Sequence, residues 1–156
     1  MAAPIPHRPA FISSVVYQNN RAAIAWLQRA FGFDASEVLV DSHDNIVHAE
    51  MSHGDGVVMI SNEIAGWDWA RSPAAIGGTN TQRIHVRIEK DIDAHCERAR
   101  QAGATIVAEP REQFYGERTY AATDHEGHHW NFSQPVRQVS FAEMEQATGF
   151  KYKKLT

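Results

Sequence analysis

The chain repeats itself at an offset of 71 residues, and that repeat limits its possible folds more than any other feature. FISSVVY (11–17) aligns with QRIHVRI (82–88), two runs with strand patterning. Asn20 aligns with Asp91, each suited to cap a helix. A helical stripe follows in both halves: Ala23, Ile24, Leu27 and Phe31, then Ile92, Cys96 and Ala99. Each helix runs into a glycine, Gly32 in FGF and Gly103 in AGA, where a left-handed residue can close the last turn. Three strand-like runs come next: SEVLVD, NIVHAEMS and VVMISN in the first half, TIVAEP, RTYAATD and HHWNFS in the second. The last hairpin of each half is expected to turn at Asp55-Gly56 and at Glu126-Gly127. The unit is therefore βαβββ, used twice.

Composition bounds the function. Of 156 residues, 43% are hydrophobic and 22% charged, the balance of a globular chain that can bury a core. A net charge of −4 argues against nucleic acid as the main partner, because phosphate neutralisation needs clustered Lys and Arg. Basic residues gather only in the C-terminal tail, at Lys151, Lys153 and Lys154, which reads as a solvated end. The single cysteine, Cys96, excludes an internal disulfide framework, fits a reducing cytoplasm and falls on a helical apolar stripe. The N-terminal MAAPIPHRPA lacks the apolar core of a secretory signal, and no run is long enough to cross a bilayer. A cytoplasmic location and no membrane partner are expected.

DHEGHHWNF (124–132) is the densest group of potential ligands. His125, Glu126 and Gly127 fall in a turn, while His128 and His129 begin a strand and leave it on opposite faces. The three histidines are not expected to form one site, although His129 remains a candidate by itself.

Two βαβββ units carrying AAIAWLQRAFGF, HAEMSHGDGVVMIS, DIDAHCERARQAGA and YGERTYAATDHEGHHWNF resemble the vicinal oxygen chelate superfamily, the glyoxalase, bleomycin-resistance and extradiol-dioxygenase group. The resemblance spans about residues 11–134 and is nearest the glyoxalase/bleomycin-resistance-like branch. It implies an α+β fold in which two tandem modules form an open, eight-stranded, barrel-like sheet around a cavity, commonly completed in a homodimer. Module one then covers about 11–64, the linker 65–80, module two about 81–134 and a C-terminal extension 135–156, all one domain. Metal-dependent members place ligands on the first and last strand of each module. Those positions here are Ile12, Ile60 (with Met59 adjacent), Arg83 and Asn131. Isoleucine has no lone pair, a guanidinium has no acceptor, and asparagine is a poor ligand for Zn²⁺, Ni²⁺ or Fe²⁺. No cofactor is expected, and standard glyoxalase I or ring-cleaving chemistry is disfavoured. A divalent metal held instead by His48, Glu50, His85 and His129 is the alternative.

Strand alternation assigns the cavity wall. Ile84, Val86 and Ile88 should pack on a helix, leaving Arg83, His85 and Arg87 inward. His48, Glu50 and Ser52 face away from Val47, Ala49 and Met51, and His129, Asn131 and Ser133 away from Trp130 and Phe132. Ile12, Val16, Val58 and Ile60 supply an apolar part. Glu50 is expected to pair with Arg87 or Arg83, and an arginine pair suits a carboxylate, phosphate or enolate. The plainer alternative is a polar network satisfied within itself. Trp67 and Trp69 in the connecting loop suit ligand stacking, a dimer interface or loop anchoring. Arg118, in FYGER, lies on the opposite face from Thr119. Ser140 and Glu143 form a capping-box pattern ahead of a short helix stopped at Gly149.

Four functions remain open at this point. One is sequestration of a small aromatic or anionic molecule in a dimer cavity. Another is metal-independent isomerase, epimerase or lyase chemistry with Glu50, His48 or His85 as base. The others are metal-dependent chemistry with displaced ligands, and an interaction domain with a vestigial cavity.

Overall fold

The computed structural model describes residues 8–153. Lys154 of the basic tail and the first seven residues lie outside the described residues. The order of elements is β1 (Ser13–Tyr17), α1 (Asn20–Phe31), β2 (Asp34–Val40), β3 (Ile46–His53), β4 (Gly56–Asn62), a short 3₁₀ turn at Pro73–Ile76, β5 (Arg83–Arg87), α2 (Ile92–Gln101), β6 (Thr105–Glu112), β7 (Glu117–Thr123), β8 (His129–Pro135) and α3 (Phe141–Thr148). The repeated βαβββ unit is present twice, as two open four-stranded sheets ordered β1-β4-β3-β2 and β5-β8-β7-β6. In each sheet the first and last strands of the module run parallel and the other pairs antiparallel. Of the described residues, those up to 81 together with 125–128 make one compact unit, and 82–124 with those from 129 on the other.

In the first unit the α1 stripe meets one face of the sheet. Ala23, Leu27 and Phe31 are buried with Val15, Tyr17, Ala49, Met51 and Ile60. The helix is capped one residue earlier than expected: Asn19 accepts from the Ala22 N–H at 3.0 Å. Asn20 is buried instead, its side-chain amide donating to the Ile46 carbonyl and its backbone N–H to Asn62 Oδ1, each at 3.0 Å. Gly32 closes the helix at φ 72°, the left-handed conformation that glycine adopts without strain.

The second unit repeats this arrangement. Ile92, Cys96 and Ala99 on α2 are buried with Tyr120, Ala122, Trp130 and Phe132. Asp91 caps α2 by accepting from the Ala94 N–H. Burial pushes the Cys96 thiol up, which makes it a core residue and a weak nucleophile. Arg118 lies on the helix side and clasps Asp93 of α2 with two hydrogen bonds of 2.8 and 2.7 Å. The capping box of α3 forms in both directions, and Gly149 ends that helix.

The two hairpins differ by one residue. In the first, His53 pairs with Gly56, so the tight turn is Gly54-Asp55 and not Asp55-Gly56. Ser52 faces Val57 across four intervening residues, whereas Thr123 faces His129 across five. The repeat offset is therefore 71 through β3 and β7 but 72 along β4 and β8: Glu50 and Ala121 correspond, and so do Met59 and Asn131.

Candidate functional site

α1 covers one face of the first sheet and α2 one face of the second, and the opposite face of each is the helix-free one. On the second sheet, cross-strand partners share a face and set out three rows there. The first row is Arg83, His129, Thr123 and Thr105. The second is His85, Asn131, Ala121 and Ala108. The third is Arg87, Ser133, Thr119 and Arg111. Arg83, His85, Arg87, His129 and Asn131 thus share one face of one sheet. The β5 residues are exposed, and those of β7 and β8 half-buried. Among the described residues, Arg83, Arg87 and Arg111 have no ion-pair or hydrogen-bond partner. The other arginines are engaged, for example Arg21 with Asp44, Arg71 with Glu63, Arg100 with Glu97 and Glu109, and Arg118 with Asp93. A guanidinium carries a fixed charge and five donors, so three of them make this face cationic.

Arg111 was not foreseen in the sequence. The strand reading of TIVAEP stops at Pro110, because proline is excluded from central strands. β6 is an edge strand and continues through Pro110 to Glu112, with two register shifts that bring Arg111 opposite Thr119. Nothing in the residues that follow signals the continuation, because Glu and Pro are depleted in strands.

The helix-free face of the first sheet carries Ser14, Val16, His48, Glu50, Val57, Met59 and Glu37. Ile12 lies just before β1 and is half-buried. Ile60 does not belong to this face. It is fully buried, paired with Val15 and Ala49, and packs on the helix side with Val58. Met59 occupies the position expected of Ile60, because the second hairpin has the extra residue. Val47, expected in the core beside Ala49 and Met51, is exposed near the start of β3.

Glu50 does not pair with Arg87 or Arg83. Arg8 Nη2 donates to Glu50 Oε1 at 2.6 Å, and His48 Nε2 lies 3.4 Å from the same oxygen. Glu50 is 5% exposed and stands across from Glu37 in the β2–β3 register. The hydrogen bond from Arg8 holds the Glu50 carboxyl below the usual carboxylate range, against the opposing effect of burial, and His48 adds to it. Nothing in the spacing marks this pair, since 42 residues separate its partners.

The histidines of DHEGHHWNF separate as strand geometry requires. His125 stacks on Tyr17 with ring centroids 5.9 Å apart, and His128 meets the edge of the same ring at 4.6 Å. His128 Nε2 donates to the Val16 carbonyl at 2.8 Å. Glu126 accepts from the backbone N–H groups of Gln18 and Asn19 and from Ser72 Oγ at 2.5 Å. These are structural roles within the first unit. Only His129 lies on a helix-free face.

Trp67 and Trp69 stack on each other, with centroids 4.9 Å apart, and Trp69 is 78% exposed. They form an aromatic surface on the loop and are not buried anchors.

Metal-dependent chemistry does not fit these donors. The four equivalent positions, with the register corrected, hold Ile12, Met59, Arg83 and Asn131. None is a His or carboxylate of the kind that holds a catalytic Zn²⁺, Ni²⁺ or Fe²⁺. Among the described residues no group of three or more His, Cys, Asp or Glu side chains is assembled as a metal requires. No helix among the described residues is long and apolar enough to cross a membrane.

Comparison with known proteins agrees with this architecture. The chain is 32% identical over 143 residues to the uncharacterized protein Mb0911c of Mycobacterium bovis, covering 89% of this chain and 91% of that one. Among solved structures it is similar to TioX from Micromonospora sp. ML1, with 31% identity, a TM-score of 0.64 and coverage of 80% of this chain and 97% of that one. The fold is also that of TnmS3, an antibiotic binding protein from Streptomyces sp. CB03234, at 18% identity, a TM-score of 0.61 and coverage of 86% and 100%. The family model for the Glyoxalase/Bleomycin resistance protein/Dioxygenase superfamily matches residues 13–132, from the first strand to the last, and the chain belongs to that superfamily.

Proposed function

We propose that this protein binds a small anionic molecule on the helix-free face of the β5-β8-β7-β6 sheet, independently of the metal positions used elsewhere in the superfamily, and that it works as a homodimer. One observation carries the reading: Arg83, Arg87 and Arg111 share that face and have no carboxylate partner among the described residues, although acidic side chains engage arginines elsewhere. Unpaired guanidiniums retained on a folded surface favour a charged ligand that satisfies them. His85, His129 and Asn131 add hydrogen-bonding groups that orient it. That a protein of this fold, TnmS3, is an antibiotic binding protein is consistent with small-molecule binding. The exposed Trp67–Trp69 stack is a surface on which an aromatic ligand could lie.

A thermal-shift screen tests the reading, since a ligand that binds only the folded state raises its stability. Small carboxylates and phosphates should raise the melting temperature, amines of matched skeleton should not, and R83Q/R87Q should remove the effect. Equal shifts from amines and acids would contradict it. Light scattering in solution should give twice the chain mass.

A second reading, metal-independent acid–base chemistry, is favoured by the contact between His48 and Glu50. The base there would be His48, with Glu50 orienting it. A carboxylate held low by Arg8 is itself a weak proton acceptor near neutral pH. Turnover that survives H48Q would remove this reading.

A further inference from the structure

Resting on the proposed anion site, we infer that its ligand carries two anionic groups joined by a short uncharged body. The three rows of the β5-β8-β7-β6 face are not alike. The outer rows hold the fixed charges: Arg83 in the first, Arg87 and Arg111 in the third. The middle row, His85, Asn131, Ala121 and Ala108, has no fixed charge and shrinks to methyl groups on β7 and β6. Side chains on one face of a strand repeat every two residues, so Arg83 and Arg87 stand roughly 13 Å apart at the backbone.

Each outer row is a donor set. In the first, Arg83 is the register partner of His129, which pairs in turn with Thr123. In the third, Arg87 and Arg111 flank the hydroxyls of Ser133 and Thr119 from opposite ends of the row. Gln113 Nε2 donates to Thr119 Oγ1 at 2.8 Å, which leaves the Thr119 proton to donate elsewhere. Arg87 and Arg111 stand at opposite ends of that row, three strand spacings or roughly 14 Å apart at the backbone, with the two hydroxyls as donors between them. The acid nearest in register, Glu117, lies one row beyond and forms no ion pair with Arg87 or Arg111 among the described residues. A monoanion would satisfy one row and leave the other row's guanidinium unpaired. The middle row suits an uncharged body: His85 and Asn131 bond its polar edge, and the two alanines leave room above the sheet.

The test is isothermal titration of the full chain, at one fixed ionic strength, with glutarate, adipate and terephthalate, each against its monomethyl ester. At least one diacid should bind tenfold or more tighter than its monoester. R83Q and R111Q, each on an opposite outer row, should each bring that diacid to within about threefold of its own monoester. Their melting temperatures without ligand should match the parent chain, which separates lost recognition from lost folding. Diacids and monoesters binding within twofold of each other would overturn this inference and leave the anion site standing. No binding by any probe would overturn both.

Discussion

The Arg8 guanidinium donates to Glu50 at 2.6 Å, and Glu37 stands directly across the sheet from that carboxylate. Two like charges opposite each other on a sheet repel, and Arg8 is the cation that makes their pairing tolerable. The effect has a definite pH dependence. Glu50 titrates below its ordinary value in the folded chain because of Arg8, so its contribution to stability is present above the ordinary carboxylate value of about 4.3 and is lost as pH falls through the lowered one. R8Q should therefore lower the melting temperature at pH 6–8, and the gap from the parent chain should narrow below about pH 4. A gap that stays constant down to pH 3 would show that Arg8 acts through packing alone.

Ile60 and Met59 are adjacent, yet they face opposite ways. Ile60 is fully buried against the helix side and Met59 half-buried on the helix-free face. I60A should cost about 2–5 kcal/mol, as truncations of packed aliphatic side chains do. M59A should cost less than half of what I60A does. Urea unfolding of the two variants measures this, and equal losses would contradict the register.

That pair also shows where sequence reading stops. Apolar stripes, closing glycines and the Asp91 and Ser140 caps are local, so both βαβββ units, α3 and its capping box were legible, although the α1 cap falls on Asn19 and not on Asn20. So were the faces of β5 and β8, because no bulge interrupts either strand. The Ile60 assignment failed because an insertion of one residue reverses every side chain beyond it, and a repeat with few identities does not reveal which hairpin is longer. Arg111 was missed because Pro110 reads as a strand end although an edge strand tolerates it. Arg8 was missed because its contact with Glu50 is long-range and follows no periodicity.

The Ser72 hydroxyl donates to Glu126 at 2.5 Å, and both side chains are buried. Hydrogen bonds to a charged group contribute about 1.5–3 kcal/mol, and S72A should lose an amount in that range. S72T, which keeps the hydroxyl, should lose less than S72A. Chemical denaturation of both variants gives the comparison.

Of the four tryptophans, Trp26 and Trp130 are buried while Trp67 and Trp69 stack at the surface. Acrylamide should quench two fluorescent populations, and W67F/W69F should remove the accessible one. Exposed positions away from the core usually change stability by no more than about 0.5 kcal/mol, and this double variant should stay near that bound. Quenching as one population would mean that the loop pair is covered in solution.

The most direct measurement for the central claim is an amide chemical-shift titration of the isotope-labelled chain with the tightest-binding acid from the screen. The largest shifts are expected at residues 83–87, 119–123 and 129–133, with saturation that R83Q/R87Q abolishes. Saturable shifts centred on β1 to β4, with residues 83–87 and 129–133 unmoved, would contradict it.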